Sequence, residues 1–69
     1  MIDLKLRIFL ADNRMTNKKF SQLTGIREST VAAYVNDTYK MIPKDHIEKM
    51  CEVFNCTPGD LFKYIPSKE

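Results

Sequence analysis

The stretch from Thr16 to Asn36, TNKKFSQLTGIRESTVAAYVN, restricts the fold of this chain more than any other feature. Phe20 and Leu23 stand one helical turn apart, Gly25 and Ile26 follow, and Val31, Tyr34 and Val35 recur at helical spacing. Apolar residues at those intervals share a helix face, so the pattern predicts two short amphipathic helices on either side of a turn. Gly25 defines that turn. With no Cβ it enters a left-handed conformation at little steric cost, and so tight a connection lets the second helix leave at a steep angle to the first.

At 69 residues the chain has room for one small domain, residues 1–69. A domain of that size buries only about 60% of its unfolded surface, so every apolar stripe is needed for the core. A hydrophobic content of 43% beside 29% charged residues suits a folded chain rather than a disordered one. The longest apolar run, Ile8 to Ala11, is too short to cross a bilayer, and Asp3, Lys5 and Arg7 interrupt any apolar leader. A cytoplasmic location with no membrane association is therefore expected. The formal net charge is +2, but residues 1–44 hold eight Lys or Arg against four Asp or Glu, and residues 45–69 hold three against five. The basic half contains the corner, which favours a polyanionic partner on that side.

Ahead of the corner, Leu6, Phe9 and Leu10 predict a first helix from about Leu4 to Asn13 with Asp3 as its candidate cap, although Ile2, Leu4 and Leu6 also alternate like a strand. Arg14 and Met15 make the turn into Thr16, which is placed to cap the second helix. The third helix is expected from about Glu28 to Val35, with Val31, Tyr34 and Val35 inward. Asn36 and Asp37 both tolerate the left-handed region that ends a helix. Pro43 is placed in the first turn of a fourth helix whose Ile47, Met50, Cys51 and Phe54 share one face. Thr57-Pro58-Gly59-Asp60 reads as the start of a fifth, from about Pro58 to Lys63, with Leu61 and Phe62 packing inward. Tyr64 and Ile65 should be extended, because a residue before proline avoids the helical region. The expected class is all-α, five helices with short extended N- and C-terminal segments.

Phe20, Gly25, Ile26 and Val31, flanked by Thr16 and Asn36, fall where the Cro/C1-type (XRE-type) helix-turn-helix family carries its second-helix apolar residue, turn glycine, turn apolar residue and third-helix anchor. The chain resembles that family from about Leu6 to Phe62. The resemblance implies a sequence-specific DNA-binding transcriptional regulator, with repression the expected mode, that reads the major groove of double-stranded DNA with its third helix. On the same correspondence Arg27, Glu28, Ser29, Thr30 and Ala33 face the bases, while Thr16, Asn17, Lys18, Lys19, Asn36 and Lys40 hold phosphates. Some small relatives pair their terminal segments as a sheet, which Met1 to Leu4 and Lys63 to Ile65 could reproduce.

Several of these residues have a physical reading of their own. Lys18 and Lys19 oppose the dipole of the helix they open, which an anion docked there would offset; solvated surface lysines are the simpler alternative. Arg27 stands where relatives carry a capping Ser or Thr, and it has no acceptor with which to cap. Glu28 can accept from cytosine N4 or merely complement the helix dipole. Ala33 reaches at most a thymine methyl, and Ser29 and Thr30 are short, so readout by one protomer is thin and a homodimer on two half-sites is the expected state. Val35 and Leu10 replace, with an apolar contact, an ion pair frequent in relatives.

Enzymatic signatures are absent. His46, the single histidine, is expected on the surface beside Asp45, with no nucleophile motif for it to activate. Cys51 and Cys56 lack the fourth ligand and the close spacing of a zinc knuckle and are expected to be buried free thiols. No metal, cofactor or small-molecule ligand is expected. The rival class is a protein-interaction module, antitoxin-like or adaptor-like, on the same scaffold; Glu28 and the short third-helix side chains favour it, and the basic corner opposes it.

Overall fold

Residues 1–66 are described by a computed structural model, in which the elements run β1 (Ile2–Leu4), α1 (Leu6–Asp12), α2 (Asn17–Thr24), α3 (Glu28–Asn36), α4 (Lys44–Phe54), α5 (Pro58–Leu61) and β2 (Phe62–Tyr64). The core draws one or more side chains from nearly every element: Leu4, Leu6, Leu10, Phe20, Ile26, Val31, Tyr34, Met50 and Leu61 are buried. Each such aliphatic or phenyl side chain contributes about 1.5–3 kcal/mol on leaving water. Phe54 of α4 joins the halves, lying 5.2 Å from Phe9 and 5.6 Å from Phe20 between ring centroids.

The five helices come with the expected short extended terminal segments, and these pair, as Met1 to Leu4 and Lys63 to Ile65 could, in a small antiparallel sheet with Ile2 opposite Tyr64, Asp3 opposite Lys63 and Leu4 opposite Phe62. Leu4 is a strand residue, and α1 starts at Leu6. Both are fully buried, and the strand conformation at Leu4 also satisfies the backbone of β2; the Lys5 amide then donates to the Leu61 carbonyl at 2.7 Å. Asp3 does not cap α1. Its carboxylate instead accepts from the Arg7 guanidinium at 3.0 and 3.2 Å. At the other end α5 stops at Leu61 rather than Lys63, since Phe62 and Lys63 belong to β2.

Two further expectations shift. Leu23 is 52% exposed, and Thr24 is the buried residue at that end of α2, because Phe20 and Thr24 lie four apart and share the inner face. Pro43 precedes α4 as its N-cap, in an extended conformation, rather than occupying its first turn.

Three of the helices end the same way without glycine. The Met15 amide donates to Leu10 at 2.8 Å, Thr38 to Ala33 at 2.9 Å and Cys56 to Cys51 at 3.1 Å. Between each pair one residue sits left-handed: Arg14 at φ 51, Asp37 at φ 61 and Asn55 at φ 51. This six-to-one bond is the Schellman stop, which satisfies carbonyls the helix leaves open. Only α2 uses glycine, Gly25, at φ 78.

An added Cβ at Gly25 would meet nothing within 4 Å, so Gly25→Ala carries only the conformational cost. The expected loss is about 1–2 kcal/mol, and less for Gly25→Asn, read from urea midpoints. Two carboxylates carry a pH signature. Asp60 accepts from the Thr57 amide and from its hydroxyl, each at 3.1 Å, and these bonds hold its carboxyl below the usual value, as the Arg7 guanidinium does for Asp3. A depressed folded pKa gives stability that is complete above the unfolded value near pH 4 and is lost as pH falls through the lower folded value. Asp60→Asn is therefore expected to lower the melting temperature at neutral pH and to show a shallower acid decline below about pH 4 than the parent.

Candidate nucleic-acid interface

The entrance to α2 is set by Thr16, whose hydroxyl accepts from the Lys19 amide at 3.1 Å. That bond fixes the first turn, on which Lys18 and Lys19 are exposed and Asn17 is half-buried. At the exit the Gly25 amide donates to the Ser21 carbonyl at 2.8 Å, and the Ser21 hydroxyl donates to the carbonyl of Ile26. Thr24 does more: its hydroxyl donates to the Phe20 carbonyl at 2.8 Å and accepts from the Ile26 amide at 3.2 Å. Ile26 can thus be buried with both of its backbone polar groups paired. Ser21 and Thr24 do not stand out in the sequence; their signal is only that hydroxyl residues near a helix end bond the local backbone.

α3 leaves that corner with Arg27 as its N-cap and no side-chain capping bond, as the sequence leads one to expect. Arg27, Glu28 and Ser29 are exposed at the mouth of the helix, while Thr30 and Ala33 are half-buried. Val31 and Tyr34 face the core, so the opposite stripe of α3 consists of Ser29, Ala33 and Asn36, spaced four and three apart. Thr30, nearer the Tyr34 side, is the least available of the five expected base-facing residues. Asn36 is exposed at the end of the helix, and Lys40 is exposed in the loop that follows. Among the described residues the only ion pair is Arg7 with Asp3, at 3.0 Å. Lys18, Lys19, Arg27 and Lys40 are therefore exposed cations with no carboxylate in salt-bridge range among those residues.

Behind α3, the Tyr34 hydroxyl meets Nδ1 of His46 at 2.6 Å. Tyr34 is 2% exposed, and its burial, reinforced by Asp45 and Tyr39, pushes its pKa up, so its hydroxyl stays neutral. Tyr39 packs edge-on at 5.4 Å and leans on the core. His46, expected on the surface, is instead half-buried and holds the start of α4 against α3. The thiols of Cys51 and Cys56 are free but half-buried rather than fully enclosed. Among the described residues no three His, Cys, Asp or Glu side chains gather to hold a metal, and no helix is long and apolar enough to cross a membrane.

This arrangement of a capped second helix, a left-handed glycine turn and an open third helix agrees with a family comparison in which the Cro/C1-type HTH DNA-binding domain matches residues 5–67. The chain belongs to that family. It is 27% identical over 63 residues to an uncharacterized HTH-type transcriptional regulator of Bacillus subtilis, YozG, covering 91% of this chain and 75% of that protein. In fold it is similar to the crystal structure of a candidate DNA-binding protein from Bacteroides fragilis, with a TM-score of 0.78 and 22% identity over 91% of this chain and 100% of that one. Within this Cro/C1-type domain, Leu10 is buried and Val35 packs against the same core cluster.

The turn gives a direct test. Thr24→Val keeps the shape but strands the Ile26 amide without its acceptor, and a loss of about 1–3 kcal/mol is expected by chemical denaturation, against a smaller loss for Thr24→Ser.

Proposed function

We propose that residues 1–69 act as one DNA-binding domain of a transcriptional regulator, a cytoplasmic repressor that binds double-stranded DNA as a homodimer and reads the major groove with α3. The observation that carries this reading is the set of exposed cations Lys18, Lys19, Arg27 and Lys40, without ion-pair partners among the described residues, on α2, at the start of α3 and in the loop after it. In the proposed complex Thr16, Asn17, Lys18 and Lys19 grip phosphates on one side of the groove, and Asn36 and Lys40 on the other. Arg27, Glu28, Ser29 and Ala33 meet base edges, with Thr30 at the margin. Phosphate contacts set register and base contacts select sequence. Because Ser29 and Ala33 reach so little, specificity comes from two half-sites, whose centres lie roughly 34 Å apart or at a multiple of that. Repression follows when such a site overlaps a promoter and excludes polymerase.

Three neutralised phosphates per protomer, at Lys18, Lys19 and Lys40, predict a log–log salt slope of roughly −3 for each bound subunit. The test is fluorescence anisotropy on a duplex from the region upstream of the coding sequence, beside a scrambled duplex, across a salt series. Native binding at least about tenfold tighter is expected, and Lys18→Ala or Lys40→Ala should each reduce the slope by about one per subunit while leaving sequence preference intact. Arg27→Ala or Glu28→Ala should change the preference itself. Equal, weak binding to both duplexes would favour the second reading, an antitoxin-like or adaptor-like protein-interaction module, which Glu28 and the short side chains of α3 support; co-purification of a partner lost on Ser29→Arg would then identify it.

A further inference from the structure

The stop of α4 has cysteine at both ends. The Cys56 amide donates to the Cys51 carbonyl at 3.1 Å, with Asn55 left-handed between them at φ 51. In a Schellman stop the side chains of these first and sixth residues turn toward one another, usually in an apolar contact. α1 has the ordinary version, Leu10 with Met15, the first buried and the second packed on the core. In α4 both of these positions are cysteine, joined through the backbone by the Cys56 amide on the Cys51 carbonyl. Neither is sealed: both are half-buried and border an open groove with Ile47, Glu48, Glu52 and Pro58, through which a small reagent can approach. A disulfide needs Cα atoms roughly 4.4–6.8 Å apart, and a direct hydrogen bond between the two backbones keeps these residues within that reach.

We infer that Cys51 and Cys56 form a thiol–disulfide site, closing to an intramolecular disulfide on reaction with a low-molecular-weight disulfide such as oxidised glutathione. One cysteine thiolate attacks a reagent sulfur, breaks its S–S bond and expels glutathione thiolate, leaving a mixed disulfide. The second cysteine thiolate then attacks the protein-side sulfur of that bond and expels the other glutathione. Two protein thiols are oxidised, one reagent disulfide is reduced to two thiols, and the two protons released are taken up by the expelled thiolates. Burial, then the neighbouring Cys51 and Asp60, pushes the Cys56 thiol up, so closure quickens as pH rises above neutral. The bond would clamp the end of α4, where Phe54 packs on Phe9 and Phe20. This inference is independent of DNA binding.

The reduced chain is equilibrated with glutathione mixtures of rising oxidised fraction at mildly alkaline pH, acid-quenched, alkylated and examined by intact mass and non-reducing gel. The expected product is lighter by two hydrogens, monomeric, protected from alkylation at both cysteines and restored by dithiothreitol. Cys51→Ser and Cys56→Ser should each stop at the single mixed disulfide with glutathione. Closure should be favoured at least about tenfold in the native chain over the same chain in urea, which separates positioning by the helix stop from mere proximity in sequence. Two glutathiones per chain, a covalent dimer, thiols that remain alkylatable in oxidised glutathione, or equal closure in urea would each overturn the inference.

Discussion

Burial of Ile26 in a tight turn depends on having somewhere to put its amide and carbonyl. α2 supplies both partners from its own last turn, Thr24 for the amide and Ser21 for the carbonyl, while Gly25 takes the left-handed conformation that aims the chain inward. An unpaired buried backbone group costs as much as several ordinary contacts contribute, so without these hydroxyls the corner would open toward water. The direction of α3 follows from that corner. Val31 and Tyr34 then pack inward and Ser29, Ala33 and Asn36 are left on the opposite stripe. The Tyr34 to His46 bond sets the other end of the same helix against α4.

The remainder of the molecule holds this corner from behind. Phe54 bridges α1 and α2 through Phe9 and Phe20, and the two strands close the path from Leu4 to Leu61. A chain this small has few redundant contacts, which is why short devices matter: three helix stops that use Arg14, Asp37 and Asn55 in the left-handed region, and a carboxylate at Asp60 that takes two donors from Thr57. Each spares the core from contacting unsatisfied backbone.

Charge is used sparingly on the open face. The described ion pair, Arg7 with Asp3, lies at the sheet end of the molecule, and the cations of α2, α3 and the following loop are left without partners among the described residues. Cations kept free at a helix entrance cost little in water and gain when an anion arrives, so affinity carried by Lys18, Lys19, Arg27 and Lys40 would be strongly dependent on salt. The outward stripe of α3 carries only short side chains, Ser29, Ala33 and Asn36, beside those cations.

Local spacing made much of this legible. Phe20, Gly25, Ile26 and Val31 specify the corner because each answers to a constraint inside a short window: helical periodicity, a positive φ, an apolar turn residue. Thr16 and Asp37 were readable for the same reason, as were the apolar faces of α4 and the start of α5. Competition between distant segments was not readable. Leu4 serves equally well in a helix or a strand until Phe62 is placed beside it, and Asp3 can cap a helix or meet Arg7 depending on that outcome. His46 looks like a surface residue until Tyr34 arrives from another helix, and Leu23 looks internal until the crossing of α2 turns Thr24 inward instead. The sequence by itself determined the helices, their corner and the family; the tertiary structure decided the sheet, the partner of His46 and which α3 residues remain open, because those depend on contacts between residues far apart in the chain, whose pairing no local pattern encodes.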